Sequence, residues 1–77
     1  MSGYIARKYA PVTPSNTTDL PGGFCHGLLV GTAGVATLTE PDGTVRTGVP
    51  LQAGFNPIQA RRVRATGTAA ANIFALY

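Results

Sequence analysis

The sequence predicts an all-β fold, a small antiparallel β-barrel or sandwich of about five to six short strands preceded by an extended N-terminal arm. Three observations carry this expectation. Ten glycines and six prolines accompany a 44% apolar fraction, a turn-rich composition that suits strands better than helices. Short apolar runs recur between clusters of Gly, Pro and Asp from Pro21-Gly22-Gly23 onward. The last run, Asn72-Ile73-Phe74-Ala75-Leu76-Tyr77, has apolar groups on both faces of a period-2 strand; left loose, it would expose much hydrophobic surface, so it is expected to be inserted into its own sheet or a neighbouring subunit.

Residues 1–20 have little periodicity and carry Pro11 and Pro14, which marks an extended arm separate from a β-domain at 21–77. The arm's plain reading is a disordered tail. Its functional reading is a segment laid over a neighbouring protein, with Tyr4, Ile5 and Tyr9 as anchors and Arg7 and Lys8 directed at acidic groups. A first strand at 24–30 and a second at 35–40 flank Gly31-Thr32-Ala33-Gly34, and are expected to pair as a hairpin. Glu40-Pro41-Asp42-Gly43 places proline where a type I turn favours it and glycine where a left-handed residue forms a bulge. The strand at 44–49 should therefore return antiparallel. The connection 50–56, with Leu51 and Phe55, is expected to fold over an open end of the sheet.

The next segment, 57–66, contains a conflict. Strict alternation sets Ile58 and Ala60 on the same face as Arg62 and Arg64, burying two guanidiniums or exposing an isoleucine. One extra residue near Arg61 removes the conflict: a bulge there turns Ile58, Ala60, Val63 and Ala65 inward and Gln59, Arg62 and Arg64 outward. Gly67-Thr68 then turns the chain into the terminal strand.

Size limits what this domain can be. A 77-residue chain buries only about 60–65% of its unfolded surface, and small scaffolds compensate with disulfides, a metal or oligomerisation. A single cysteine, Cys25, forms no internal disulfide, and Cys25 with His26 supplies two ligands where structural zinc takes four. Oligomerisation remains. Only 12% of residues are charged, about half the usual share, which suits a surface covered by partners or a threonine-rich free one. Neither a signal-peptide core nor an apolar run of ~20 residues is present, so a cytoplasm-like compartment without membrane insertion is expected. The triplet Asn16-Thr17-Thr18 therefore has no expected use as a glycosylation acceptor.

Catalytic chemistry has few candidates. His26 and Cys25 are adjacent, and adjacent strand residues point to opposite faces, so they do not form a nucleophile–base pair. The carboxylates are Asp19, Glu40 and Asp42, and the last two belong to a tight turn. Gly22-Gly23 and Gly31 with Gly34 lack the Gly-Lys-Ser/Thr continuation of a phosphate loop and read as turn glycines. No enzyme and no cofactor are expected. The strongest charged feature is Arg61-Arg62-Val63-Arg64. With a net charge of +3 it admits a small barrel binding single-stranded nucleic acid, but no aromatic alternates with these arginines on one strand face. Pairing with carboxylates on an acidic protein partner fits better.

The C-terminal block, Arg62-Val63-Arg64-Ala65-Thr66-Gly67-Thr68-Ala69 followed by Asn72 to Tyr77, resembles the ending of the head-spike base proteins, short virion proteins of tailed phages and gene transfer agents that decorate or cement capsid vertices. Asp19-Leu20-Pro21-Gly22-Gly23, Gly31-Thr32-Ala33-Gly34, the Asp42-Gly43 turn and Val49-Pro50 before Gly54 extend the resemblance over residues 19–77. The resemblance implies a non-enzymatic structural protein on the outer surface of an icosahedral head, assembled in the host cytoplasm. It implies a homo-oligomer, a pentameric ring at the vertices, that cements the major capsid protein or supports a spike fibre. On that footing Tyr4, Ile5, Arg7, Lys8, Tyr9, Arg61, Arg62 and Arg64 are the expected partner or capsid contacts, and Phe74, Leu76 and Tyr77 serve the fold or the subunit seam. A single-stranded nucleic-acid binder and a host-glycan-contacting module are the alternatives.

Overall fold

The protein, seen in a computed structural model that describes residues 7–77, is all-β among those residues. Seven short strands run in chain order: β1 Tyr9–Pro11, β2 Gly27–Thr32, β3 Gly34–Thr39, β4 Val45–Leu51, β5 Gly54–Asn56, β6 Arg62–Val63 and β7 Ala71–Leu76. They form two antiparallel sheets, ordered β1-β7-β2-β5 and β4-β3-β6. The arrangement is an open sandwich rather than a closed barrel. Leu28, Val30, Ile73 and Ala75 from the first sheet share one core with Ala36, Leu38, Leu51 and Val63 from the second, as facing sheets require.

The terminal strand lies inside its own chain. β7 pairs with β2 on one side, from Gly27↔Leu76 to Thr32↔Ala71, and with β1 on the other, from Tyr9↔Leu76 to Pro11↔Phe74. Period two then sorts its side chains: Ile73 and Ala75 enter the core, and Phe74 faces out. The described part of the N-terminal segment is stitched to the same domain. After β1, Val12 N–H donates to Ile73 O (2.8 Å), Ser15 N–H to Val63 O (2.9 Å) and Leu20 N–H to Arg61 O (2.8 Å). Residues 9–20 thus form a strap from the edge of the first sheet to the edge of the second, with Leu20 in the core.

The turn at 40–43 forms as expected. Gly43 has φ 96°, Glu40 N–H donates to Thr44 O (2.7 Å) and Gly43 N–H to Glu40 O (2.8 Å), and Asp42 Oδ1 accepts from Thr44 N–H (2.9 Å). A further bulge lies within this hairpin, because Ala36 opposes Val49 while Leu38 opposes Arg46. Gly48 absorbs it at φ 67°, the conformation for which glycine has no Cβ penalty.

Three expectations are corrected. The strands around residues 31–34 do not pair with each other: β2 and β3 belong to different sheets, and Ala33 is the corner between them. Gly31 and Gly34 serve close approach instead of a turn. A Cβ at Gly31 would stand 2.8 Å from Asn72 Cβ, and one at Gly34 would stand 2.9 Å from Ala70 N. The returning chain at 69–72 crosses here, and Asn72 itself takes φ 56°. The 50–56 segment is no cover over an open end: β4 continues to buried Leu51, and β5 crosses over to pair with β2. The 57–66 segment is not one bulged strand. Ala60 bridges Cys25 of the first sheet side, the chain bends at Arg61, and β6 pairs with β3 of the second sheet. The break does turn Ala60 and Val63 inward, with Ile58 partly buried, but Ala65 is exposed.

If close backbone approach is why position 34 is glycine, Gly34→Ala forces the Ala69–Ala70 backbone to move and costs about 1–3 kcal/mol, the usual range for overpacking. Urea denaturation measures this. A loss below about 0.5 kcal/mol, normal for an unencumbered surface site, would contradict the corner geometry.

Candidate partner interface

Two surfaces concentrate the residues that sequence reading singled out. The first is where the strap meets β6. Asp19 receives both neighbouring arginines: Arg61 Nε donates to Oδ2 (3.0 Å), and Arg62 reaches Oδ1 through Nε (2.9 Å) and its terminal nitrogen (2.7 Å). Arg62 also donates to Asn16 O (3.0 Å). Asn16 Oδ1 in turn accepts from the backbone N–H groups of Ala65 (3.0 Å) and Thr66 (3.1 Å). Hydrogen bonds from Arg61 and then Arg62 hold the Asp19 carboxyl below its ordinary range. The carboxylate expected from a partner therefore comes, for Arg61 and Arg62, from the chain's own strap. Arg64 is half-buried and lines an open groove with Asn16, Thr37, Val45 and Thr66.

The second surface is the outer face of the four-stranded sheet. Cross-strand partners share a face, and the registers Pro11↔Phe74, Leu29↔Phe74 and Leu29↔Phe55 set one residue from every strand in a single row. Phe74, Leu29 and Phe55 are all exposed. Tyr9, the most exposed of the large apolar residues among those described, stands with its ring tilted against that of Phe74, centroids 6.5 Å apart. Phe55 lies over Gly27, where an added Cβ would stand 2.7 Å from its ring. Leu76 occupies the same side of β7 as Phe74, yet is buried and stands outside the core cluster.

Other singled-out residues are placed as follows. Arg7 and Lys8 are exposed before β1, and their backbones clasp the last residue: Arg7 N–H donates to Tyr77 O (3.0 Å) and Tyr77 N–H to Lys8 O (2.8 Å). Tyr4 and Ile5 lie outside the described residues. Tyr77 packs its ring against Gly22, and its hydroxyl is buried without a hydrogen-bond partner among the described residues. Burial, then the nearby Cys25, raises its pKa. Cys25 is fully buried and its thiol is pushed up by desolvation, so it behaves as a small core residue. His26 is on the exposed side, its ring 5.7 Å from that of Phe24. The sequence reading missed Asp19 as the partner of two arginines. Its signal was available, since Asp19 is the only acidic residue outside the 40–43 turn.

Comparison with known proteins gives one family. No family model and no curated protein matches the chain. Among solved structures, a chain of the one described as "Capsid of native GTA particle computed with C5 symmetry" is 30% identical, with a TM-score of 0.79, over 95% of this chain and 84% of that one. This chain belongs to the family of that gene transfer agent capsid component. It is thus a capsid-related, structural virion protein of β-rich fold. The likeness extends over nearly the whole sequence, so most of the strap falls within the shared fold.

The Asp19 clamp has a defined pH signature. Its folded-state pKa is depressed, so its contribution is complete above the ordinary aspartate value of 3.8 and is lost as pH falls below it through the folded value. Asp42, also depressed by hydrogen bonds from Thr44, adds a loss of the same sign. In urea titrations between about pH 7 and pH 2, Asp19→Asn should be less stable than wild type at neutral pH and should lose less on acidification. Parallel curves would mean the clamp contributes nothing to folding.

Proposed function

We propose that this chain is a head-spike base protein: a ring of copies, pentameric, seated on the major capsid protein at the outside of a phage-like head, which cements the shell there and supports a spike fibre. The observation that carries this reading is the 30% identity to a gene transfer agent capsid chain over 95% of the sequence. The order of motifs from Asp19 to Tyr77 supports the spike-base assignment within that setting. A ring joins its subunits by heterologous contacts around the axis, and a domain of this size gains from being held in one.

A structural rather than enzymatic role fits the site chemistry. Cys25 is buried with a raised pKa, which removes it as a thiolate nucleophile, and Asp19 is committed to two arginines. The same pairing weakens the nucleic-acid reading, because it leaves Arg64 as the one member of the 61–64 cluster without an acidic partner among the described residues.

Particles produced with and without this chain, compared by cryo-electron microscopy with local reconstruction at the vertices, test the proposal. The expected result is density at the fivefold vertices that vanishes when the chain is deleted, while the shell remains. Unchanged vertices, or heads purified free of the chain, would overturn it.

A further inference from the structure

We propose that the uncharged outer face of the four-stranded sheet, centred on Leu29 and Phe74, is the surface by which the chain docks on the protein shell of the head. This rests on the capsid-bound reading above and names the face that makes the contact. The charges of the molecule are segregated. None of its nine charged residues, six basic and three acidic, lies in β1, β2, β5 or β7. Seven of the nine, Asp19, Glu40, Asp42, Arg46, Arg61, Arg62 and Arg64, belong to the three-stranded sheet, its hairpin turn and the strap; the other two, Arg7 and Lys8, are exposed just before β1, at the edge of the four-stranded sheet. One side of the sandwich is dressed for water. The other presents the row Pro11, Phe74, Leu29 and Phe55, with Tyr9 beside it.

Exposure makes this row costly without a partner. Tyr9 is 69% exposed, Leu29 44%, Phe55 41% and Phe74 37%. For side chains of roughly 150–250 Å² each, this leaves on the order of 400 Å² of contiguous apolar surface, within the roughly 300–600 Å² of the largest patch on a typical monomer, which is often functional. A standard interface buries about 800 Å² on each partner, a little over half of it apolar, so the row supplies the apolar part of one such contact. Copies around a ring meet through unlike patches, which argues against the same row of a second copy as the occupant. A ring of copies strengthens so small a contact, because once one copy is seated the others bind the shell intramolecularly. The complementary surface on the shell is then apolar and uncharged, since any unpaired charge facing this row would be desolvated without compensation.

The test uses heads assembled without this chain and the purified chain, mixed and sedimented at about 0.1 M and 0.5 M salt. Wild type should co-sediment equally at both. Leu29→Glu should weaken co-sedimentation about tenfold or more, equivalent to about 1.4 kcal/mol. Leu29→Thr, which keeps a strand-forming residue, should weaken it with an unchanged thermal melt. Val45→Thr, at a site 47% exposed on the other sheet, should bind like wild type. Folded Leu29 variants that bind like wild type would overturn the proposal and leave the capsid reading intact. The same holds if light scattering shows that Leu29→Glu breaks a self-association while head binding is unchanged. Wild type that fails to bind heads at all would overturn the capsid reading, and this proposal with it.

Discussion

The position of β7 governs the rest of the structure. The last strand of the chain is an inner strand of its sheet, with backbone bonds to β2 on one side and β1 on the other. An inner strand needs both neighbours, because a buried strand with one unpaired edge leaves a row of amide and carbonyl groups desolvated. One neighbour follows directly from the N-terminal segment, whose backbone clasps Tyr77 at Arg7 and Lys8. The two ends of the described chain therefore complete each other. Folding must bring residues separated by most of the sequence together before the sheet closes, which places this domain among topologies dominated by non-local pairing.

The strap follows from the same constraint. Having paired with β7, the chain passes from the first sheet to the second and covers their shared side, with Ser15 bonded to Val63 and Leu20 buried. Apolar burial alone is thin in so small a domain, and the strap adds polar fixings at its far end. Asp19 grips Arg61 and Arg62, and Asn16 satisfies two backbone amides beyond β6. Arg61 and Arg62 are thereby turned into structural ties, while the opposite sheet carries the exposed apolar row. Surface chemistry and fold are divided between the two sheets.

How far the sequence revealed this depended on how local each cause was. The hairpin at 40–43 was legible because Pro41, Asp42 and Gly43 determine it among themselves. The corner at 31–34 was not: Gly31 and Gly34 look like turn glycines, and only the passage of residues 69–72 within 3 Å of their missing side chains explains them. The disturbance at Arg61 was visible as a clash between period-two alternation and charge. Its resolution, a change of sheet, depends on β3 and Cys25 being nearby in space. The inward facing of Ala60 and Val63 followed from either resolution. In the candidate site, the burial of the C-terminal strand was legible from its composition; for Asp19 composition offered only its isolation from the 40–43 turn, and the pairing with residues more than forty positions later needed the fold. The apolar run Leu28-Leu29-Val30 held the clue to a two-sided strand, and the registers were needed to show that Leu29 shares a row with Phe74 and Phe55.

The terminal strand is completed within its own chain, between β2 and β1. Amide hydrogen exchange of the isolated protein, read residue by residue, tests this most directly. The Ile73, Phe74, Ala75 and Leu76 amides should exchange among the slowest in the molecule, at rates set by global unfolding. Rapid exchange of these amides in the isolated protein, with protection gained only on heads, would show that a partner completes the strand and would contradict the claim.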